Sequence, residues 1–160
     1  MTVHQPIYGL ATPADLLART GLETLQAVIA GDLPQAPISE PLSFWLAQAR
    51  YGEVVFEGDP TQALLNPMGI VHGGWALTLI DSACACAGLS VLPQGIGYTT
   101  VETKANFTRP ITQTTGRVRC IGKVIVEGRQ IITAEAKILD DKDKILAHGA
   151  STLMVLLARG

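Results

Sequence analysis

The chain has 160 residues, enough for one domain with a buried core that needs no disulfide or metal to hold it. Hydrophobic residues make up 48% of the sequence and charged residues only 16%, so we expect part of the surface to be buried in an oligomer. The net charge of -2, without a basic stripe carrying aromatic residues, argues against nucleic-acid binding.

The first predicted element is one amphipathic helix over residues 13–30. Thr12 is its predicted N-cap and Pro13 takes the first helical position, which is typical of a helix start. The apolar face of this helix is predicted to be Leu16, Leu17, Leu25, Val28 and Ile29. A proline-rich stretch follows and is predicted to be an extended linker, so residues 1–41 form an N-terminal helix and linker, and residues 42–160 form the main domain.

The main domain is predicted to combine one long apolar helix with an antiparallel sheet of five or six strands. Residues 41–60 are predicted to form two strands joined near Tyr51-Gly52, and residues 72–92 are too long and apolar for a strand. Further strands are predicted at 98–108, 117–127, 130–139 and 145–157, the last three joined by turns at 128–129 and 140–144. The fold class is therefore α+β, with the sheet wrapped around the helix and a second copy covering the rest.

The apolar stretch 75–92 has nearly the length of a membrane span. Thr78, Asp81 and Ser82 lie within it, and a lone acid in lipid is costly, so we expect no membrane insertion. The N-terminus lacks the pattern of a signal peptide, and the three cysteines are expected to be reduced, so we predict a cytoplasmic location. Cys84-x-Cys86 has no second pair at zinc spacing, so we expect no metal.

Asp81 is the only Asp, Glu, Lys or Arg in residues 60–101, and it falls in the middle of the predicted apolar helix. A carboxylate there costs several kcal/mol unless it is paired. One interpretation is an inert residue held by backbone or hydroxyl donors. The other is a general base or nucleophile, since such acids are frequent in active sites.

His72-Gly73-Gly74 opens the same helix, where backbone N–H groups lack partners and the helix dipole favours negative charge. Such a place can hold the oxyanion of an attacked carbonyl, although the glycines can also simply permit a tight turn. His72 and Asp81 lie roughly 13 Å apart along the helix and about 180° around it, so they cannot meet one substrate atom within one chain. A site shared by two antiparallel helices of a dimer is therefore favoured.

Three segments carry a family resemblance: N-P-M-G-I-V-H-G-G-W-A-L-T-L-I-D, the strand T-T-V-E-T-K-A-N-F-T-R-P and the turn V-E-G-R. Over residues 42–157 the chain resembles the PaaI-type hot-dog-fold acyl-CoA thioesterases. The resemblance implies a hot-dog fold in which an antiparallel sheet wraps the long helix, with an extra N-terminal helix outside the common core. It also implies subunits paired into a homodimer, often as a dimer of dimers.

The resemblance implies roles for residues of the motif. Asp81 would be the base or nucleophile acting on a CoA thioester, and the Gly73 N–H would polarise its carbonyl. Asn66 would orient the water or thioester, with His72 supporting this arrangement. A hydroxyl on the following strand would position the water: Thr100 fits the family pattern, but strand alternation with inward-facing Val101, Ala105 and Phe107 favours Thr99.

The CoA moiety belongs to the substrate, so no separate cofactor is expected. The candidates for contacts to the CoA phosphates are Arg109, Arg117, Arg119, Lys123 and Arg129, with solvated surface cations as the alternative. Arg129 is favoured because it lies beside Gly128 in a predicted turn. Two other functions compete with thioester hydrolysis. A hot-dog hydratase would need an Asp–His pair close together, and a non-catalytic acyl-CoA-binding module would not need Asn66, Gly73 and Asp81 together.

Overall fold

The computed structural model describes residues 6–156, in which one six-stranded antiparallel sheet wraps around a long helix. The helices are α1 (Pro13–Leu17), α2 (Gly21–Ala30) and α3 (Gly73–Leu89). The strands are β1 (Phe44–Arg50), β2 (Glu53–Gly58), β3 (Gly97–Phe107), β4 (Val118–Glu127), β5 (Ile131–Leu139) and β6 (Ile145–Leu156). Their order in the sheet is β1-β2-β4-β5-β6-β3, so the predicted α+β architecture is confirmed and β3 forms one edge.

Helix α3 lies in the concave face of the sheet, and its packing explains why its sequence is apolar on most sides. Leu79, Ile80 and Ala83 are completely buried. On β4, a Cβ added at Gly122 would lie 2.3 Å from the carbonyl oxygen of Ala83, so only glycine permits this close approach. The helix ends at Leu89, earlier than predicted. No helix within residues 6–156 is long and apolar enough to cross a membrane.

The strands β4, β5 and β6 follow one another as antiparallel neighbours, as their predicted turns require. The predicted alternation in β5 is confirmed, because its inward residues are all buried against α3. These residues are Ile132, Ala134, Ala136 and Ile138. A period-two pattern thus identified the core face of this strand correctly.

Strand β3 contains a bulge that the sequence pattern did not reveal. The register of β3 with β6 shifts between Thr100 and Glu102, and Val101 is 60% exposed. The extra residue reverses the alternation, so even-numbered residues face inward before the bulge and odd-numbered ones after it. The prediction that Val101 faces inward is therefore wrong. Phe107 lies on the inner face with its ring beside Gly73 of α3, although 57% of it is exposed in the single chain.

Residues 6–41, here called the N-terminal arm, contain two helices where one was predicted. The first helix ends before Thr20. Thr20 has an extended backbone and forms a capping box with Glu23, and this capping box starts α2. Leu25 is buried in the core and Val28 is half-buried against it, as predicted. The rest of the predicted apolar face is exposed in the single chain, namely Leu16, Leu17 and Ile29.

The proline-rich end of the arm is attached to the sheet. Pro37–Ser39 form a turn of 3-10 helix instead of continuing an extended linker. The buried Gln35 side chain donates to the Leu46 carbonyl at 3.1 Å and accepts from the Leu46 N–H at 3.0 Å, as a neighbouring strand would. The arm is thus fixed against β1 and α3, while a domain boundary at residue 41 stays a prediction.

Candidate active site

Asp81 lies half-buried on α3, and its carboxylate is held by hydroxyl groups of β3. Thr100 Oγ1 donates to Asp81 Oδ1 at 3.1 Å, and Thr103 Oγ1 donates to the same oxygen at 2.9 Å. Within the described residues, Oδ2 accepts no hydrogen bond. One carboxylate oxygen is therefore fixed while the other keeps its lone pairs for chemistry.

Thr103 also contacts the buried Ser151 of β6, with 2.8 Å between the two hydroxyl oxygens. A hydroxyl has one proton, and that of Thr103 points to the carboxylate, so Ser151 must be the donor in this pair. The result is a chain of hydrogen bonds from Ser151 through Thr103 to Asp81. Such chains strengthen each member and restrict the orientation of the carboxylate.

The bulge in β3 decides between the two candidate threonines. It brings Thr100 and Thr103 to the inner face, three positions apart, and leaves Thr99 exposed. Thr100 therefore contacts Asp81, and Thr99 does not. Thr103 and Ser151 were missed at the sequence level, although the predicted alternation with Val101 and Ala105 already placed Thr103 on the inner face. The bulge is what adds Thr100 to that face.

His72 is the N-cap of α3 and uses its side chain for this purpose. Its Nδ1 accepts a hydrogen bond from the Gly74 N–H at 2.9 Å, and its carbonyl accepts one from the Trp75 N–H at 3.0 Å. The Gly73 N–H, by contrast, has no acceptor among residues 6–156. Of the first three helical N–H groups, Gly73 therefore offers the unpaired donor, as the oxyanion prediction requires.

Asn66 organises the loop that leads into α3. Its Oδ1 accepts hydrogen bonds from the Met68 N–H at 2.9 Å and the Ile70 N–H at 3.2 Å. The side-chain oxygen of Asn66 thus holds the loop in place, and its side-chain NH2 group remains to contact a ligand.

Asp81 and Gly73 open into different clefts of the single chain. Asp81 and Thr100 line a cleft of about 500 Å³ between α3, the start of β3 and the N-terminal arm. Gly73 lines a cleft of about 320 Å³ that also contains Phe107 and Arg109. Asp81 lies eight residues after Gly73 along continuous helix, or about 12 Å, so the two groups serve separate places in one chain.

The basic residues that could contact CoA phosphates fall into two groups, those that form ion pairs and those that do not. Arg117 forms a two-bonded ion pair with Asp59, Lys123 pairs with Glu53, and Arg119 pairs with Asp143. Within residues 6–156, neither Arg109 nor Arg129 forms an ion pair, although the Arg109 guanidinium donates to the Ile145 carbonyl at 2.6 Å.

Gly128 has a role in the turn between β4 and β5. Its N–H donates to the Ile131 carbonyl at 3.0 Å, and an added Cβ would lie 2.3 Å from that oxygen. Arg129 follows it on the surface, at the sheet end where β5 begins, whereas Arg109 lies at the other end, next to the start of α3.

The ionisable side chains near Asp81 are kept neutral by their surroundings. Burial raises the pKa of the Cys84 thiol to about 11, and burial together with the charge of Asp81 raises that of the Cys86 thiol to about 12. Burial also raises the pKa of the Tyr98 phenol. No group of three His, Cys, Asp or Glu side chains in the described part of the chain could hold a metal ion.

Comparison with known proteins agrees with this fold. The model of the thioesterase superfamily matches residues 68–147, half of the chain, including α3 and the strands β3, β4 and β5. A comparison with curated proteins finds no significant match.

Several solved structures resemble the chain over most of its length. A thioesterase family protein from Silicibacter pomeroyi is 28% identical, with a TM-score of 0.70 over 76% of this chain and 90% of that one. A thioesterase from Haemophilus influenzae is 21% identical, with a TM-score of 0.72 over 84% and 90% of the two chains. A phenylacetic acid degradation-related protein from Ralstonia eutropha is 23% identical, with a TM-score of 0.74 over 81% and 98%.

Proposed function

Because the chain belongs to the thioesterase superfamily, whose chemistry is thioester hydrolysis, we propose that it hydrolyses acyl-CoA thioesters with Asp81 as the catalytic acid–base group or nucleophile. The observation that carries this proposal is the state of the Asp81 carboxylate. Two threonine hydroxyls fix Oδ1, while Oδ2 is unpaired among the described residues and borders an apolar cleft. A carboxylate oriented in this way is suited to act on a bound carbonyl.

The reaction begins when a backbone N–H polarises the thioester carbonyl. Oδ2 of Asp81 either removes a proton from a water that attacks the carbonyl carbon or attacks that carbon itself. In both routes the carbonyl oxygen becomes negatively charged, and the Gly73 N–H stabilises it at the helix N-terminus. Collapse of the intermediate breaks the carbon–sulfur bond, and CoA leaves as a thiolate. In the general-base route Asp81 returns to it the proton taken from water, and in the nucleophilic route water hydrolyses the mixed anhydride and frees Asp81.

We infer that each site uses Asp81 of one subunit and Gly73 of its partner. The outer side of β3 pairs with no strand of the described chain, and its exposed Val101 lies in the same strand as the threonines that bind Asp81. Leu77, one turn before Asp81, is 36% exposed. A two-fold contact along this edge would cover both side chains and bring the first turn of one α3 beside the middle of its antiparallel partner.

CoA would extend from this site toward basic residues. Arg109 shares the cleft of Gly73, so it would come from the subunit that polarises the carbonyl, and its guanidinium is suited to bind a phosphate of CoA. Arg129 would come from the subunit that provides Asp81. Arg117, Arg119 and Lys123 are engaged with acidic partners, which leaves them less suited to bind phosphate.

A panel of acyl-CoA substrates, assayed by release of the CoA thiol, tests the proposed function. We expect Asp81→Asn to lower kcat by at least about 10²-fold with little change in KM, because an amide can neither accept the proton nor attack the carbonyl. Asp141→Asn is the matched control, since it makes the same exchange at an exposed carboxylate in the turn between β5 and β6, away from the β3 edge. Near-normal turnover by folded Asp81→Asn protein, or no hydrolysis of any thioester by the wild type, would refute the proposal.

A further inference from the structure

One side of the cleft over Asp81 is formed by a part of the chain that lies outside the matched family segment. One wall is the face of α3 that carries Asp81 and Ala85, and the opposite wall is the N-terminal arm. The arm residues that line the cleft belong to both of its helices and to the stretches around them, and they include Leu10, Leu16, Leu25, Val28 and Leu33. The arm thus builds a cavity directly beside the candidate catalytic carboxylate.

The chemistry of this cleft is apolar with one charged end. Its lining residues include no Lys, Arg, His or Glu, and the only charged side chain is Asp81. Tyr98 lines it as a neutral phenol whose pKa burial raises. A carboxylate at the far end of an acyl group would find no cation here, and the Asp81 charge would repel it.

We propose that the N-terminal arm is the wall of the acyl pocket and that Leu16 of α1 limits the length of the acyl group. This inference rests on the proposed function and deepens it by naming the substrate class: uncharged, apolar acyl groups of medium length. The volume of about 500 Å³ lies within the usual range for small-molecule sites. Leu16 lines both this cleft and a second one beyond α1, so its side chain lies at the boundary of the pocket.

The chain provides a matched control next to Leu16. Leu17 has the same side chain, lies in the same short helix and is 58% exposed against 46% for Leu16, but it does not line the cleft over Asp81. Substitutions at the two positions should change solubility and local helix stability to similar extents. A difference between them therefore reports on the pocket.

The test compares kcat/KM for octanoyl-CoA and acetyl-CoA in the full chain. We expect Leu16→Trp to lower the octanoyl-to-acetyl ratio by about 10-fold, and Leu16→Ala to shift the preference toward acyl groups longer than octanoyl, as changes of pocket volume do. Leu17→Trp and Leu17→Ala should leave the ratio within about twofold of wild type. Succinyl-CoA should be hydrolysed far more slowly than butyryl-CoA.

Failure of this inference is distinct from failure of the proposed function. If the wild type hydrolyses thioesters but substitutions at Leu16 and Leu17 have equal effects, or succinyl-CoA is as good as butyryl-CoA, the inference is overturned and the function stands. If the wild type hydrolyses no thioester, the pocket is tested by binding instead. The affinities of the octyl and methyl thioethers of CoA for the wild type and the same variants are then measured by calorimetry. Stronger binding of the octyl compound that Leu16→Trp alone weakens supports the pocket, and equal binding overturns it.

Discussion

The first turn and the middle of α3 have opposite chemistry although they belong to one rigid helix. The first turn offers a hydrogen-bond donor, the Gly73 N–H, beside the exposed Phe107. The middle offers an acceptor, the Asp81 carboxylate, which is held by two hydroxyls and lines a cleft that the N-terminal arm borders. A reaction that needs both groups must use two helices, since one helix keeps them about 12 Å apart.

Removal of the donor is the strongest test of this difference. Gly73→Pro deletes the N–H but suits the first helical position, and the extended backbone of His72 is compatible with a following proline. We expect kcat to fall by about 10²- to 10³-fold, the usual cost of losing one oxyanion donor. Gly73→Ala adds a Cβ near the Phe107 ring but keeps the N–H, and it should retain much more activity. Equal activity of the two variants would show that the N–H is not used.

Mixing two inactive variants tests whether donor and acceptor come from different subunits. In a co-expressed mixture of Asp81→Asn and Gly73→Pro chains, about half of the dimers are hybrids, and each hybrid has one intact site. Activity should therefore rise from about 1% to about one quarter of wild type. Hybrids purified with two affinity tags make the measurement direct. If proven hybrids stay inactive, each site is built within one chain.

The hydroxyls that hold the acceptor should contribute a smaller effect. We expect Thr103→Val to lower kcat by about 10-fold at nearly constant KM, because hydrogen bonds to a charged group are worth about 1.5–3 kcal/mol. Thr103→Ser keeps the hydroxyl and should restore most of the activity, while Thr99→Val on the outer face of the same strand should be neutral. A loss that serine does not restore would indicate a packing role for Thr103.

The fold was largely predictable because its elements follow simple periodic patterns. The alternation of Ile132 and Ile138 identified a buried strand face, and the length of the apolar stretch identified α3. The break between α1 and α2 was missed, although Thr20 and Glu23 carry the capping-box spacing that predicts a helix start. The apolar residues before and after Thr20 fit one helical face, so a single continuous helix was predicted instead.

The site was predictable only where local sequence determines geometry. Gly73 could be assigned as a donor because the position of a helix start fixes which N–H groups are free. The contact of Thr100 with Asp81 depends on a bulge at Val101, and the cleft depends on where the arm packs. Both are tertiary features that no periodicity of the chain encodes.

The arm over Asp81 also bears on how such an enzyme can change over evolutionary time. The residues that line the cleft from the arm are separate in sequence from those that hold the carboxylate, and most of them make no contribution to the sheet. Mutations at the arm positions that line the cleft can therefore vary acyl preference while the hydrogen bonds around Asp81 persist. Selectivity and reactivity thus depend on two separate segments of the chain. The arm can change in sequence while the segments of α3 and β3 that hold Asp81 stay the same.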